Sequence, residues 1–233
     1  MKPVCLVTGA GGRLGQALCA DLARDHDVIA AYRRTVPKVA SQLQWPVRTD
    51  GAEEARHSLI HCVQADLACR EDIRRLVEVA AARNGRIDSI VNAAADVRFH
   101  GPLVELWESG DEVVTQLAVN AVAPVQLVSA VFQACWKDQS EENAQWNRNL
   151  VNISSVSGLY VTKDVGQAYY AASKAALNTL TMYLSLELAP YSVRANAVCP
   201  SQFTNESATQ HVVNAVRRLI TGNETGALVS NVP

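Results

Sequence analysis

At 233 residues, with nearly half of them hydrophobic and 19% charged, the chain has the size and balance of a single soluble α/β domain with a real core. A formal charge of −2 leaves no basic footprint for nucleic acid, and neither a leader-like N-terminus nor an apolar run long enough to span a membrane is expected. The six cysteines are scattered without a C-x-x-C pair, which argues against a metal site or redox motif and places the protein in a reducing compartment, the cytoplasm.

In chain order, Pro3 to Thr8 is a short apolar run that ends at glycines and predicts a buried strand. Leu14 to Asp25 carries apolar residues at helical spacing. Val28 to Tyr32 reads as a second strand and Ser58 to Ala65 contains a third, with an irregular stretch from Pro37 to Glu53 between them. Arg70 to Arg83 sets Ile73, Leu76, Val77 and Ala80 on one face with charges opposite, an amphipathic helix. Ile87 to Ala94 is a strand, a helical stretch covers much of Val113 to Trp136, and Lys137 to Arg148 is polar and loop-like. Asn149 to Ser154, Tyr170 to Leu188 and Val193 to Cys199 predict strand, long helix and strand. A helix near Thr209 to Thr221 and a short strand near Ala227 to Val229 complete the chain. Such alternation implies right-handed βαβ units and a parallel sheet covered on both faces. Nothing marks a boundary, so residues 1–233 are expected to form one domain.

The first turn reads Thr8-Gly9-Ala10-Gly11-Gly12-Arg13-Leu14-Gly15, after a predicted strand and opening a predicted helix. Glycines allow the tight turn and a close backbone approach to a pyrophosphate, whose charge the helix N–H groups and dipole favour. Gly9, Gly12, Arg13, Leu14 and Gly15 are therefore candidate dinucleotide contacts. The second strand ends in Tyr32-Arg33-Arg34, with no acid for the ribose hydroxyls of NAD. Guanidinium groups bind a 2′-phosphate that an acid would repel, so Tyr32, Arg33 and Arg34, with Arg13 nearby, point to NADP(H).

Tyr170 and Lys174 stand four apart on a predicted helix and so share a face. A lysine cation beside a phenol favours phenolate, which suits the tyrosine to proton exchange near neutral pH. Asn152 to Gly158 places Ser154, Ser155 and Ser157 just upstream, at the C-terminal end of a strand, the edge where open α/β sheets bind ligands. Tyr160 and Tyr169 either line that pocket or pack.

The set Thr8 to Gly15, Asn92-Ala93-Ala94-Ala95, Asn120, Ser155, Tyr170/Lys174 and Pro200-Ser201, in that order, resembles the short-chain dehydrogenases/reductases from the first strand to about Gly226. The resemblance implies a Rossmann-like, doubly wound parallel sheet of about seven strands. It also implies a catalytic tetrad, with Tyr170 as general acid or base, Ser155 on the substrate oxygen, Lys174 on the nicotinamide ribose and Asn120 anchoring a relay water. By the same resemblance Asp66 and Leu67 contact adenine, although Asp66 also suits a helix cap. Asn92, Ala93 and Ala94 follow the fourth strand, and Pro200, Ser201 and Phe203 lie on the nicotinamide side. The two helices carrying Asn120 and Tyr170 are expected to pair copies into a dimer or tetramer.

The departures are informative. Arg13 replaces a loop glycine, as in pteridine-reductase-like members. Ser201 replaces the glycine after Pro200, and terminal glycines are missing. Phe203-Thr204-Asn205-Glu206 runs almost directly into the next helix, which predicts a shortened lid and an open mouth. The leading expectation is an NADPH-dependent reductase of a small or carrier-bound carbonyl substrate, without nucleic-acid, membrane or metal partners. A pterin or dihydrofolate reductase and a non-catalytic NADP(H)-binding sensor or scaffold are the alternatives.

Overall fold

In β1 (Val4–Thr8), β5 (Ser89–Asn92) and β6 (Asn149–Ile153) every residue is buried. Burial along the whole strand, without alternation, marks parallel strands covered on both faces. These strands lie in a computed structural model that describes residues 2–39, 42–44, 60–108, 110–161, 166–202 and 205–230. With β2 (Asp27–Tyr32), β3 (Gln42–Gln44), β4 (Ile60–Gln64), β7 (Arg194–Val198) and β8 (Leu228–Val229) they form one eight-stranded sheet in the order β3-β4-β2-β1-β5-β6-β7-β8. Every pairing is parallel.

Seven of these strands are the expected doubly wound Rossmann-like set. The eighth, β3, pairs Gln42 with Ile60 through Gln44 with Cys62, inside the stretch read as irregular. Its three residues are too few to show a period, so the neighbouring strand, not local pattern, makes it a strand.

Period-two alternation divides the core in two. Val4 and Leu6 of β1 point into one cluster, and Cys5 and Val7 into the other. The first cluster is closed by α2 (Arg70–Asn84), α4 (Ala123–Val131) and α6 (Ala168–Leu188), through residues such as Leu76, Leu127 and Leu188. The second is closed by α1 (Arg13–Leu22) and α7 (Glu206–Thr221), through Leu18, Val212 and Leu219.

α3 (Gly110–Leu117) runs through a π-helical turn, Ala118–Val122, into α4, and a second π turn, Phe132–Trp136, follows. This corrects the expectation that no apolar segment is long enough to cross a membrane. The continuous helix Gly110–Trp136 has 27 residues, and an 18-residue window within it has a mean hydropathy of 1.5. It is a core helix. Leu127, Val131 and Trp136 are fully buried in the first cluster, and the Trp136 indole donates to Ile87 O at 2.7 Å.

The polar stretch Lys137 to Arg148, read as a loop, contains α5 (Ser140–Gln145). Its order comes from buried partners. Arg148 Nε lies 3.3 Å from Asp88 Oδ1, Arg148 Nη1 donates to Asn143 Oδ1 at 2.6 Å, and Asn143 Nδ2 donates to Trp136 O and Tyr191 O, both at 2.8 Å. Downstream, residues 199–205 join β7 to α7. α7 starts earlier than its apolar periodicity, because Asn205 caps it by accepting from Ala208 N at 2.8 Å.

Candidate active site

The turn between β1 and α1 is built on contacts that leave no room for side chains. Gly9 has φ +69°, and a Cβ there would lie 2.7 Å from Ala94. A Cβ on Gly15 would lie 2.2 Å from Gly9 O, so the loop folds back onto the first turn of α1. The turn is held by Ala10 N donating to Ala31 O at 2.9 Å, and Thr8 Oγ1 accepts from Ala94 N at 3.2 Å, tying β1 to the segment after β5. α1 begins with no acid in its first turn and no side chain capping its N–H groups, which favours an anion there.

Above the sheet, where β1 separates β2 from β5, lies a cleft of about 450 Å³. Here strand connections diverge to opposite faces, the usual ligand position in such sheets. Gly9, Gly12, Arg13, Leu14 and Gly15 line it from the loop, and Tyr32, Arg33 and Arg34 from the end of β2. Asp66 and Leu67 line it after β4, and Ala93 and Ala94 after β5. Thr35, Ala95 and Val119 join them without having been foreseen. Asn92 does not line the cleft, because its Nδ2 donates to Asn152 Oδ1 at 2.9 Å and locks β5 to β6. Pro200 is buried beside the β6 end, its carbonyl accepting from Val156 N at 3.1 Å, and exposed Ser201 follows. Phe203 lies outside the described residues. Asp66 does not cap α2, whose N-cap is Cys69. It closes a turn in which Oδ1 accepts from Ala68 N at 3.0 Å.

The sequence reading missed Asp96. Its carboxylate is buried and takes the Arg98 fork, from Nε at 2.9 Å and Nη2 at 2.6 Å to Oδ2, and the Arg98 backbone N–H at 3.0 Å to Oδ1. Arg33 Nη1 stands 3.7 Å from the same Oδ2. Burial raises the Asp96 pKa, but the bonds from Arg98 and the charges of Arg98 and Arg33 outweigh it and leave the group below the ordinary carboxylate value. An acid immediately after Asn92-Ala93-Ala94-Ala95 was the available signal.

On α6, Tyr170 and Lys174 face the same way, with Nζ 5.7 Å from the phenol ring centroid. Lys174 is 2% exposed and donates to Ile153 O at 2.8 Å. Burial lowers its pKa to about 8, against an opposing contribution from Cys199. Burial also raises the Tyr170 pKa, and a hydrogen bond with Ser155 pulls it back in part. The acidification of Tyr170 expected from Lys174 is therefore not found. The ammonium is turned to a backbone carbonyl, and desolvation disfavours both charged forms.

Ser155 Oγ accepts from Ser157 N at 3.1 Å, whereas Ser154 Oγ donates to Lys174 O at 3.3 Å, so Ser155 is the hydroxyl presented to the tyrosine. Asn120 sits fully buried in the first π turn, with its carboxamide bound to the Asp96 backbone and to Ser173 Oγ at 3.0 Å. Ser173 Oγ donates to Tyr170 O at 2.7 Å. A second cavity of about 730 Å³ adjoins α6, lined by Leu103, Val104, Leu159, Tyr160, Ala168 and Ala171 among others. Tyr160 thus lines a cavity, while Tyr169 packs edge-on against Phe99, with ring centroids 5.8 Å apart.

Comparison with known proteins agrees with this geometry. The family model described as short chain dehydrogenase matches residues 3–216. A (3R)-3-hydroxyacyl-CoA dehydrogenase of Canis lupus familiaris is 30% identical over 94% of this chain and 80% of its own. Among solved structures, a short-chain type dehydrogenase/reductase from Mycobacterium ulcerans superposes with TM-score 0.79 at 17% identity, over 98% of this chain and 88% of that one. A 3-ketoacyl-(acyl-carrier-protein) reductase from Brucella melitensis, complexed with NADH, gives TM-score 0.78 at 19% identity, over 98% and 96%.

Proposed function

Because the chain belongs to the short-chain dehydrogenase family, we propose that it is an NADPH-dependent reductase of carbonyl compounds, with Tyr170 as proton donor. The observation that carries the cofactor choice is the rim of the cleft: Arg13, Arg33 and Arg34 line it, and the end of β2 offers no acid. Guanidinium groups there attract a 2′-phosphate by charge-assisted hydrogen bonds. The backbone of Gly9 to Gly15 gives a pyrophosphate close approach without side-chain clash. These residues fit a nicotinamide dinucleotide, which when bound supplies the hydride.

The chain's own residues do the rest. Ser155 holds the substrate oxygen near Tyr170, and Tyr170 gives that oxygen its proton. Lys174, whose Nζ lies 5.7 Å from the phenol ring and donates to Ile153 O, would hold the nicotinamide ribose beside Tyr170. The short link from β7 to α7 and the carbon-lined cavity beside α6 suit a bulky or carrier-bound acyl substrate. The hydroxyacyl and ketoacyl relatives act on compounds of that kind by name. Exposed Val114, Val122, Met182, Tyr183 and Leu186 on the helices that carry Asn120 and Tyr170 support pairing with a second copy. Six unpaired thiols support a cytoplasmic location.

Arg13 at the cleft supports a second reading, a pterin or dihydrofolate reductase, which turnover of dihydrobiopterin would favour. The deciding experiment titrates NADPH and NADH against wild type and Arg33→Ala. A preference for NADPH that falls about tenfold or more in the variant is expected. Equal affinities in wild type would move the reading to NAD or dual use. Binding of neither would favour a protein that performs no hydride transfer at all.

A further inference from the structure

Arg33 is not held for a phosphate alone. Its guanidinium stands 3.7 Å from the Asp96 carboxylate, which Arg98 already grips through its side-chain fork and its backbone N–H. Asp96 follows Ala93, Ala94 and Ala95, which line the cleft after β5, without lining it itself, and its side chain is 4% exposed while that of Arg33 is 37% exposed. The two partners of Asp96 are therefore unequal. Arg98, 41% exposed, makes short, aligned bonds, whereas Arg33, about as exposed, makes a long ion pair without a hydrogen bond.

We propose that Asp96 is a specificity determinant for the cofactor: its carboxylate is an internal counter-ion that competes with a ribose 2′-phosphate for Arg33, and Arg98 sets how strongly it competes. This rests on the nicotinamide-cofactor reading above. When a 2′-phosphate takes Arg33, Asp96 stays neutralised by Arg98, so the exchange strands no buried charge. A ligand without the 2′-phosphate leaves Arg33 at its internal partner. The site consequently discriminates against NADH less sharply than its arginines alone would, since part of Arg33's attraction for phosphate is already spent inside the protein.

The two neighbours give shifts of opposite sign. Asp96→Asn keeps the shape and the backbone bonds to Asn120 but removes the competing charge. NADPH is expected to bind about two- to fivefold tighter, the size of a partly exposed ion pair, with NADH within twofold of wild type. Arg98→Ala leaves Arg33 as the carboxylate's remaining guanidinium partner among the described residues, and NADPH is expected to weaken by a similar factor while NADH stays put. Both shifts are expected to vanish in an Arg33→Ala background, the coupling a double-mutant cycle isolates.

Affinities are read by equilibrium fluorescence titration of the reduced dinucleotides, with adenosine 2′,5′-bisphosphate as a probe that lacks nicotinamide. The melting temperature of each free variant is measured alongside. A change that moves NADPH and NADH alike, an Asp96→Asn variant that binds NADPH more weakly, or a shift that persists without Arg33 overturns the inference. Failure of wild type to bind either dinucleotide overturns the reading beneath it instead. A variant whose melting temperature collapses is replaced as the test by the other of the pair.

Discussion

The Asn120 carboxamide holds the Asp96 peptide from both sides: Oδ1 accepts from Asp96 N at 2.7 Å, and Nδ2 donates to Asp96 O at 2.8 Å. A third bond, to Ser173 Oγ, continues through that hydroxyl to the carbonyl of Tyr170. The wall of the nucleotide cleft and the helix that carries the tyrosine are thus joined through one buried side chain in a π-helical turn. Turns of that kind recur at functional positions because they re-aim a side chain without ending the helix.

Asn120→Ala would leave the Asp96 N–H and carbonyl and the Ser173 hydroxyl without this partner. We expect a loss of about 2–4 kcal/mol in stability, measured by urea unfolding. Turnover at temperatures where the variant stays folded is expected to fall as well, because the α6 end moves relative to the cleft. A variant as stable as wild type would show that the carboxamide does not carry this link.

Tyr170→Phe removes a hydroxyl and a hydrogen bond with Ser155 and little else. Its melting temperature is expected to stay within a few degrees of wild type, and its affinity for the reduced dinucleotide to be unchanged. The rate of carbonyl reduction is expected to fall at least about a hundredfold, the contribution of a positioned general acid. A substrate turned over at the wild-type rate by this variant would remove Tyr170 from the mechanism.

Lys174 gives a pH signature with a definite sign. Burial lowers its folded pKa to about 8 from the ordinary lysine value of 10.5. Between those two values the unfolded chain binds more protons than the folded one, so stability rises with pH across that window. Below about pH 8 the folded protein carries the full cost of the buried ammonium. A melting-temperature series from pH 7 to 10.5 on wild type and Lys174→Met is expected to show this rise in wild type and a flatter curve in the variant. Parallel curves would assign the pH dependence to other groups.

Asp88 is fully buried at the opposite edge of the sheet. It accepts from Val4 N at 2.8 Å and from Arg86 Nε at 2.9 Å through Oδ2, and pairs with Arg148 through Oδ1. Asp88→Ala takes from buried Arg86 its carboxylate partner and leaves Arg148 to Glu142, Asn143 and Cys135 O, so a loss of about 3–5 kcal/mol is expected in denaturant titration. The isosteric Asp88→Asn is expected to cost less. An Asp88→Ala variant within about 1 kcal/mol of wild type would mean that Arg86 finds another partner and that Arg148 is held by those it already has.

Local sequence determined the βαβ order, the sheet-covering helices, the nucleotide loop and the shared face of Tyr170 and Lys174. Each of these is set by a short-range rule: a run of apolar residues, a 3.6-residue period, a glycine where no Cβ fits, or a four-residue spacing. Tertiary structure alone decided the rest. β3 became a strand because β4 offered an edge, and α5 formed where Arg148 and Asn143 found buried partners. Asn92 turned from the cleft to Asn152 across the sheet. The Lys174 ammonium met a carbonyl, and the Tyr170 pKa rose where spacing alone suggested a fall. Asp96 found Arg33, a residue 63 positions earlier, at the rim of the cleft that Arg33 lines. Desolvation and cross-strand partners depend on what the fold brings near, and no window along the chain contains both members of such a pair.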